Sequence, residues 1–160
     1  MIRNVKPCDA PDIALIYNYY IENTTITFET DPVSTEEMSE RIAAISEKYP
    51  YLVYEESGKI AGYCYVSSWK KKAAYQKTVE STIYIDKAFQ GKGIGRALMN
   101  KLINELREKT FHAVIACITT PNPSSIKLHE ELGFRQVSEF REVGFKFEKW
   151  LDVGDWELLL

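Results

Sequence analysis

Gln90-Gly91-Lys92-Gly93-Ile94-Gly95 separates a strand-like run, Thr78–Ile85, from a helix-like run that begins near Ile94 and ends near Lys109. A strand, a glycine-rich turn and a helix N-terminus in that order form a physical device for holding phosphate. The first N–H groups of a helix have no intrahelical acceptor, and the helix dipole adds partial positive charge there. Glycines let the backbone approach an anion where a Cβ would collide. Lys92 and Arg96 add formal charge beside the turn. The expectation is a site for a pyrophosphate-bearing cofactor; the plain alternative for an isolated loop is a tight turn with no ligand. A P-loop needs Lys followed by Ser or Thr after its second glycine, and no such run exists. A dinucleotide fingerprint expects GxGxxG and an acidic residue at the end of the next strand. Here the glycines read GxGxG, and that strand ends in Thr119-Thr120.

The rest of the chain divides by its apolar periodicity. Ile2–Val5 reads as a first strand, and Asp9 as the cap of a helix with Pro11 in its first turn. Ser34-Thr35-Glu36-Glu37 is a capping box ahead of the stripe Met38, Ile42, Ile45. Tyr51–Glu55 and Ile60–Ser67 read as a hairpin across Ser57-Gly58, with Gly62 marking a bulge. Ala113–Ile118 is continuously apolar, as in a strand buried on both faces. Asn122 and Pro123 open a helix that Gly133 stops, and residues 136–160 alternate enough for two strands. The order β-αα-βββ-α-β-α-ββ predicts an α/β (α+β) chain with a mixed sheet and helices on both faces.

At 160 residues the chain is sized for a single domain, 1–160. The net charge of −3, with Lys70-Lys71-Lys72 as the longest basic run, argues against nucleic-acid binding. Cys8, Cys64 and Cys117 form no CxxC pair, which suits a reducing compartment, and Cys64 and Cys117 are expected in the core. With His112 and His129 as the histidines, no metal site is expected. No apolar N-terminal segment or long apolar window points to a membrane, so a cytoplasmic protein is expected.

Gln90-x-x-Gly93-x-Gly95 resembles the Gln/Arg-x-x-Gly-x-Gly/Ala signature of the GCN5-related N-acetyltransferases (GNAT). Asn122 to Phe134 is similar to that family's later helix, which starts after an Asn and ends in Gly-Phe. Tyr19–Glu22, Phe28, Trp69–Tyr75, Glu80–Ile85 and Gly144–Trp156 narrow the resemblance to phosphinothricin N-acetyltransferases. It covers nearly the whole chain. It implies a mostly antiparallel sheet, acetyl-CoA as cofactor, a small amino acid as acceptor and a homodimer. The pyrophosphate grip falls on Gln90, Gly91, Lys92, Gly93, Ile94, Gly95 and Arg96.

Amine acetylation requires that the ammonium lose a proton and that the oxyanion be stabilised. Glu80, Thr82, Tyr84 and Asp86 share one strand face, and Ser81, Ile83 and Ile85 the other. Locally, a strand Glu reads as solvent-facing; the match to the Glu-Ser-Thr-x-Tyr pattern makes Glu80 the candidate base. His129 lies about two helical turns after Asn122, on the same face. It is the second candidate, as a proton relay or as a packed structural histidine; His112 reads as structural. Ile83, Tyr84 and Ile85 are expected to offer backbone groups to the pantetheine arm, with Asn122 bonding one of its amides. Lys127 reaches the adenosine phosphate or sits in solvent. Phe28, Lys70, Lys72, Tyr75 and Tyr84 map onto the family's acceptor pocket, except that Lys72 replaces an Arg and loses its planar fork. A protein N-terminal or polyamine acetyltransferase and a non-catalytic acyl-CoA sensor remain the competing readings.

Overall fold

The computed structural model describes residues 1–160. Its strands are β1 (Ile2–Asn4), β2 (Tyr51–Glu56), β3 (Lys59–Ser68), β4 (Thr78–Ile85), β5 (Ala113–Thr120), β6 (Arg135–Lys146) and β7 (Lys149–Leu159). The helices are α1 (Ala10–Asn23), α2 (Thr35–Ser46), α3 (Ile94–Glu108) and α4 (Pro123–Glu131). The strands form one sheet in the order β1-β2-β3-β4-β5-β7-β6. Only β4 and β5 run parallel; every other neighbouring pair is antiparallel. The order and sheet type match the sequence-based expectation. No helix is long and apolar enough to cross a membrane.

Two apolar layers cover the sheet. On the back, α3 buries Ile94, Leu98, Met99, Leu102, Ile103 and Leu106 against Val79, Val114, Ala116, Trp156 and Leu158. Each such side chain contributes about 1.5–3 kcal/mol relative to exposure. On the front, α1 and α2 bury Ile13, Ile16, Tyr20, Met38 and Ile42 against Tyr51, Val53 and Tyr63. The front layer covers the β2–β4 half of the sheet.

Three local expectations change. Asp9 precedes α1 but does not cap it. Its carboxylate instead accepts both Arg3 terminal nitrogens at 2.8 Å and the Lys6 N–H at 2.7 Å. A buried carboxylate takes the strongest donors in reach, and a guanidinium fork outranks one helix amide. At α2, Ser34 accepts from Glu37 N–H at 3.1 Å, while the Glu37 carboxylate turns to Arg41 at 2.5 Å. Cys117 is exposed, although Cys64 is buried as expected. The apolar run of β5 hides a period of two: Val114, Ala116 and Ile118 face α3, and Cys117 falls on the front, which no helix covers there.

The expected bulge is present. Tyr54 pairs with Gly62 and Glu55 with Ile60, which leaves Ala61 as the extra residue. A Cβ on Gly62 would meet Ile85 Cδ1 at 2.6 Å and the Tyr84 carbonyl oxygen at 3.0 Å. Gly62 therefore sets how closely β3 supports the end of β4. Gly62→Ala should lower stability by about 1–3 kcal/mol through overpacking, read as an earlier urea midpoint with unchanged slope. An unchanged midpoint would show that this approach is not tight.

Candidate active site

β4 and β5 pair through Thr78–Glu80 with Ala113–Ile115, and the ladder stops there. Beyond it each strand stays bonded on its other side, β4 to β3 through Ile85 and β5 to β7 through Thr120. The two strands diverge, and a cavity of 270 Å³ opens between them. Glu80, Thr82, Ile83 and Tyr84 line it from β4, with Cys117 and Thr119 from β5. Asn122, Ser125 and His129 reach it from α4, and Ile26, Thr27 and Phe28 from the α1–α2 loop.

Glu80 sits where the ladder ends. It is half-buried, and burial, followed by the Asp155 charge, raises its carboxyl above the ordinary range. The register explains the neighbour: Glu80 pairs with Ile115, and two residues along β5 Cys117 pairs with Asp155. Tyr65 and Tyr63 lie opposite Thr82 and Tyr84 on the same face. His129 is 2% exposed. Its Nδ1 lies 2.8 Å from the Ser125 carbonyl oxygen, which can only accept, so Nδ1 carries the proton and Nε2 is left as an acceptor. Asn122 caps α4 by accepting from Ser125 N–H at 3.3 Å. The Ser125 backbone thus fixes both Asn122 and His129 at the cavity, through its N–H and its carbonyl.

The glycine loop lies beyond the end of β4. Gly91 and Gly93 have φ of +76° and +77°, with open space where a Cβ would stand. The first intrahelical bond of α3 runs from Ala97 N–H to Gly93 O at 3.1 Å, and no side chain caps the helix. Ser34 and Asn122 cap α2 and α4 in that way. The earliest amides of α3 are therefore donors awaiting an acceptor. Lys92 lies 4.6 Å over the Phe89 ring, and Arg96 pairs with Glu131.

The structure does not bring every predicted residue to the cavity. Lys70 sits 4.2 Å over Trp69 and 5.2 Å from the Tyr75 ring, in the loop that feeds β4, and Lys72 is exposed there. None of the three lines the cavity. Lys127 borders a shallow depression on the outer side of α4, which shares Asn122 with the cavity. Ile26, Thr27, Cys117, Ser125 and Val153 line the cavity without having been singled out. Only the alternation of β5 carried a signal, for Cys117.

A model of the acetyltransferase (GNAT) domain matches residues 2–154. The chain belongs to the GNAT acetyltransferase family. A phosphinothricin N-acetyltransferase of Streptomyces viridochromogenes is 37% identical, over 96% of this chain and 85% of its own length. An L-methionine sulfoximine/L-methionine sulfone acetyltransferase of Salmonella typhimurium is 36% identical, over 99% of this chain and 94% of its own. A GNAT superfamily phosphinothricin acetyltransferase from Sinorhizobium meliloti, solved in complex with acetyl-CoA, superposes with a TM-score of 0.96 at 36% identity. It covers 100% of this chain and 88% of its own. The protein is thus a GNAT-family N-acetyltransferase.

In this GNAT fold the buried imidazole of His129 has a measurable consequence. Burial lowers its pKa below the ordinary 6.5, against the raising effect of the Ser125 bond. The unfolded chain therefore takes up this proton first as pH falls, and the stability contributed by neutral His129 is lost below about pH 6.5. His129→Gln should flatten the fall of the urea midpoint between about pH 7 and 5. Equal slopes in the variant and the parent would contradict a buried neutral histidine.

Proposed function

We propose that this enzyme transfers the acetyl group of acetyl-CoA to the amino group of a small amino acid of the phosphinothricin, methionine sulfone or methionine sulfoximine type. The observation that carries the reading is the β4–β5 cavity, with Glu80 and His129 on its wall, together with an uncapped helix after the glycine loop that follows β4. The residues fit the donor. Amides at Ile94, Gly95 and Arg96 suit a pyrophosphate, and the Gly91 and Gly93 backbones leave room for it. The edge of β4 beyond Glu80 suits an extended pantetheine arm, and Asn122 one of its amides. Strand alternation turns the Tyr84 backbone toward Tyr63 of β3 and those of Ile83 and Ile85 toward the gap. The Tyr20 hydroxyl already donates to Ile85 O at 2.5 Å, so Ile83 is the stronger backbone candidate.

Acetyl-CoA supplies a thioester carbonyl, to which the amine nitrogen bonds as the C–S bond breaks and the thiol leaves. Glu80 takes the proton that the ammonium must lose, directly or through a water, and its raised pKa suits a base near neutral pH. His129, neutral with Nε2 as acceptor, is suited to take up a proton and return it to the thiolate. Phe28, Tyr84 and Thr27 form the acceptor wall. Lys70, Lys72 and Tyr75, on the loop at the Glu80 end, are assigned to the rim that meets an anionic or oxygen-bearing side-chain terminus. The relatives' named acceptors support this substrate class.

We also infer a homodimer. The β6–β7 hairpin exposes Phe140, Val143, Phe145, Phe147 and Trp150, more apolar surface than a solvated hairpin needs. Sedimentation equilibrium should give twice the chain mass, and Phe145→Glu with Trp150→Glu should give the monomer; a monomeric parent would overturn this.

The activity is tested by thiol release with phosphinothricin, methionine sulfone, methionine sulfoximine, spermidine and a peptide N-terminus. One of the first three should give the highest kcat/KM. Glu80→Gln should lower kcat by a factor of about 10² to 10⁴ at neutral pH, and less at high pH, where the amine is already free. A best rate on spermidine or the peptide would overturn the acceptor class. Near-parental turnover of Glu80→Gln would remove Glu80 as base, and no thiol release at all would favour the sensor reading.

A further inference from the structure

Two tyrosines one turn apart on α1 reach different ends of the cleft. Tyr20 is 6% exposed. Its hydroxyl donates to Ile85 O at 2.5 Å and accepts from Gln90 Nε2 at 3.0 Å. Ile85 ends β4 and Gln90 opens the glycine turn, so one buried hydroxyl ties both ends of the segment that leads to α3. The Gln90 side chain is thereby engaged within the protein. Its amide braces the turn and is not aimed at a ligand.

Tyr17 serves the other side. Its hydroxyl lies 2.9 Å from Thr27 Oγ1 and donates to the Glu29 carboxylate. Arg41 holds that carboxylate with two bonds, at 2.9 and 2.7 Å. Thr27 is flanked by Ile26 and Phe28, and all three line the cavity. Tyr84 lies between the two tyrosines, its ring centroid 5.1 Å from Tyr17 and 4.9 Å from Tyr20. Residues three apart share a helix face, so a single rigid element presents both hydroxyls.

We propose that Tyr20 and Tyr17 are positioning residues that set the two walls of the cleft separately. Tyr20 fixes the donor-side glycine turn through Ile85 and Gln90, and Tyr17 fixes the acceptor-side wall through Thr27 and Glu29. The assignment rests on the acetyltransferase reading above. Neither hydroxyl meets the reacting atoms. Removing one leaves ring packing intact and frees the segment it held, so affinity falls on that side alone.

The test is a crossed pair of variants assayed with acetyl-CoA and methionine sulfone, with phosphinothricin as second acceptor. Tyr20→Phe should raise the KM for acetyl-CoA about three- to tenfold, the range that one or two net hydrogen bonds supply, and leave the acceptor KM within about twofold. Tyr17→Phe should do the reverse by a similar factor. Gln90→Leu, which removes one of the two bonds, should raise the same KM by no more than Tyr20→Phe, and the double variant should be no worse than Tyr20→Phe, which already lacks both. General destabilisation would instead lower kcat through loss of active enzyme, or move both KM values together in both variants; either pattern overturns the proposal. Calorimetric titration with acetyl-CoA separates the two levels of inference. A parent that does not bind acetyl-CoA removes the functional reading itself. A parent that binds, with Tyr20→Phe binding equally tightly, removes only the positioning role.

Discussion

The parallel pairing of β4 with β5 spans three residues on each strand, and the site depends on its stopping there. A longer ladder would close the sheet and leave no cavity. A shorter one would detach the β1–β4 half from the β5–β7 half. The divergence is held open from outside, since β4 is bonded to β3 along its length and β5 to β7 along all of its own. Each strand is satisfied on one edge, and beyond Glu80 the inner edge of β4 faces a gap. Unpaired backbone groups seek partners, and an extended ligand laid along an edge supplies them.

The two apolar layers place the chemistry at the mouth of this gap. α3 and α4 back the sheet, while α1 and α2 cover the front only as far as β4. Glu80 lies at that boundary, buried enough to raise its pKa yet open to the cavity. Donor and acceptor then approach from different sides. The glycine turn lies past the far end of β4, and the α1–α2 loop and the β6–β7 hairpin border the front. Phe28 lies against Gly144, where a Cβ would meet its ring at 2.3 Å. Lys146, 5% exposed, donates to Thr27 O at 2.8 Å. The acceptor wall is thus built from segments more than a hundred residues apart in sequence.

This separation decides what was legible beforehand. The elements were legible because each rests on local periodicity and punctuation: the Asn122-Pro123 start, the Gly133 stop, the Ser57-Gly58 turn and the Gly62 bulge all stand as the sequence indicates. The shared face of Asn122 and His129 follows from the helix period, whereas Glu80 was singled out by the resemblance and not by its strand, which locally reads as solvent-facing. The Tyr20–Gln90 bond was not legible, because it joins residues 70 apart with no local pattern. Nor was the Lys146–Thr27 bond, for the same reason. Cys117 was misassigned because an unbroken apolar run conceals which face loses its cover when a neighbouring strand departs. The stacking of Lys70 over Trp69 and Tyr75, outside the cavity lining, was not legible either, because it depends on how the loop before β4 folds back.

The central claim is that acetyl-CoA lies along the free edge of β4 with its pyrophosphate at the start of α3. Amide hydrogen exchange with and without acetyl-CoA tests it at the backbone itself. The account predicts added protection at Ile83, Ile85 and the first amides of α3, from Ile94 to Arg96, with little change at Val79 and Glu80, which β3 and β5 already pair on both sides. Protection confined to other segments, with the β4 edge and the α3 N-terminus exchanging as in the free protein, would contradict it.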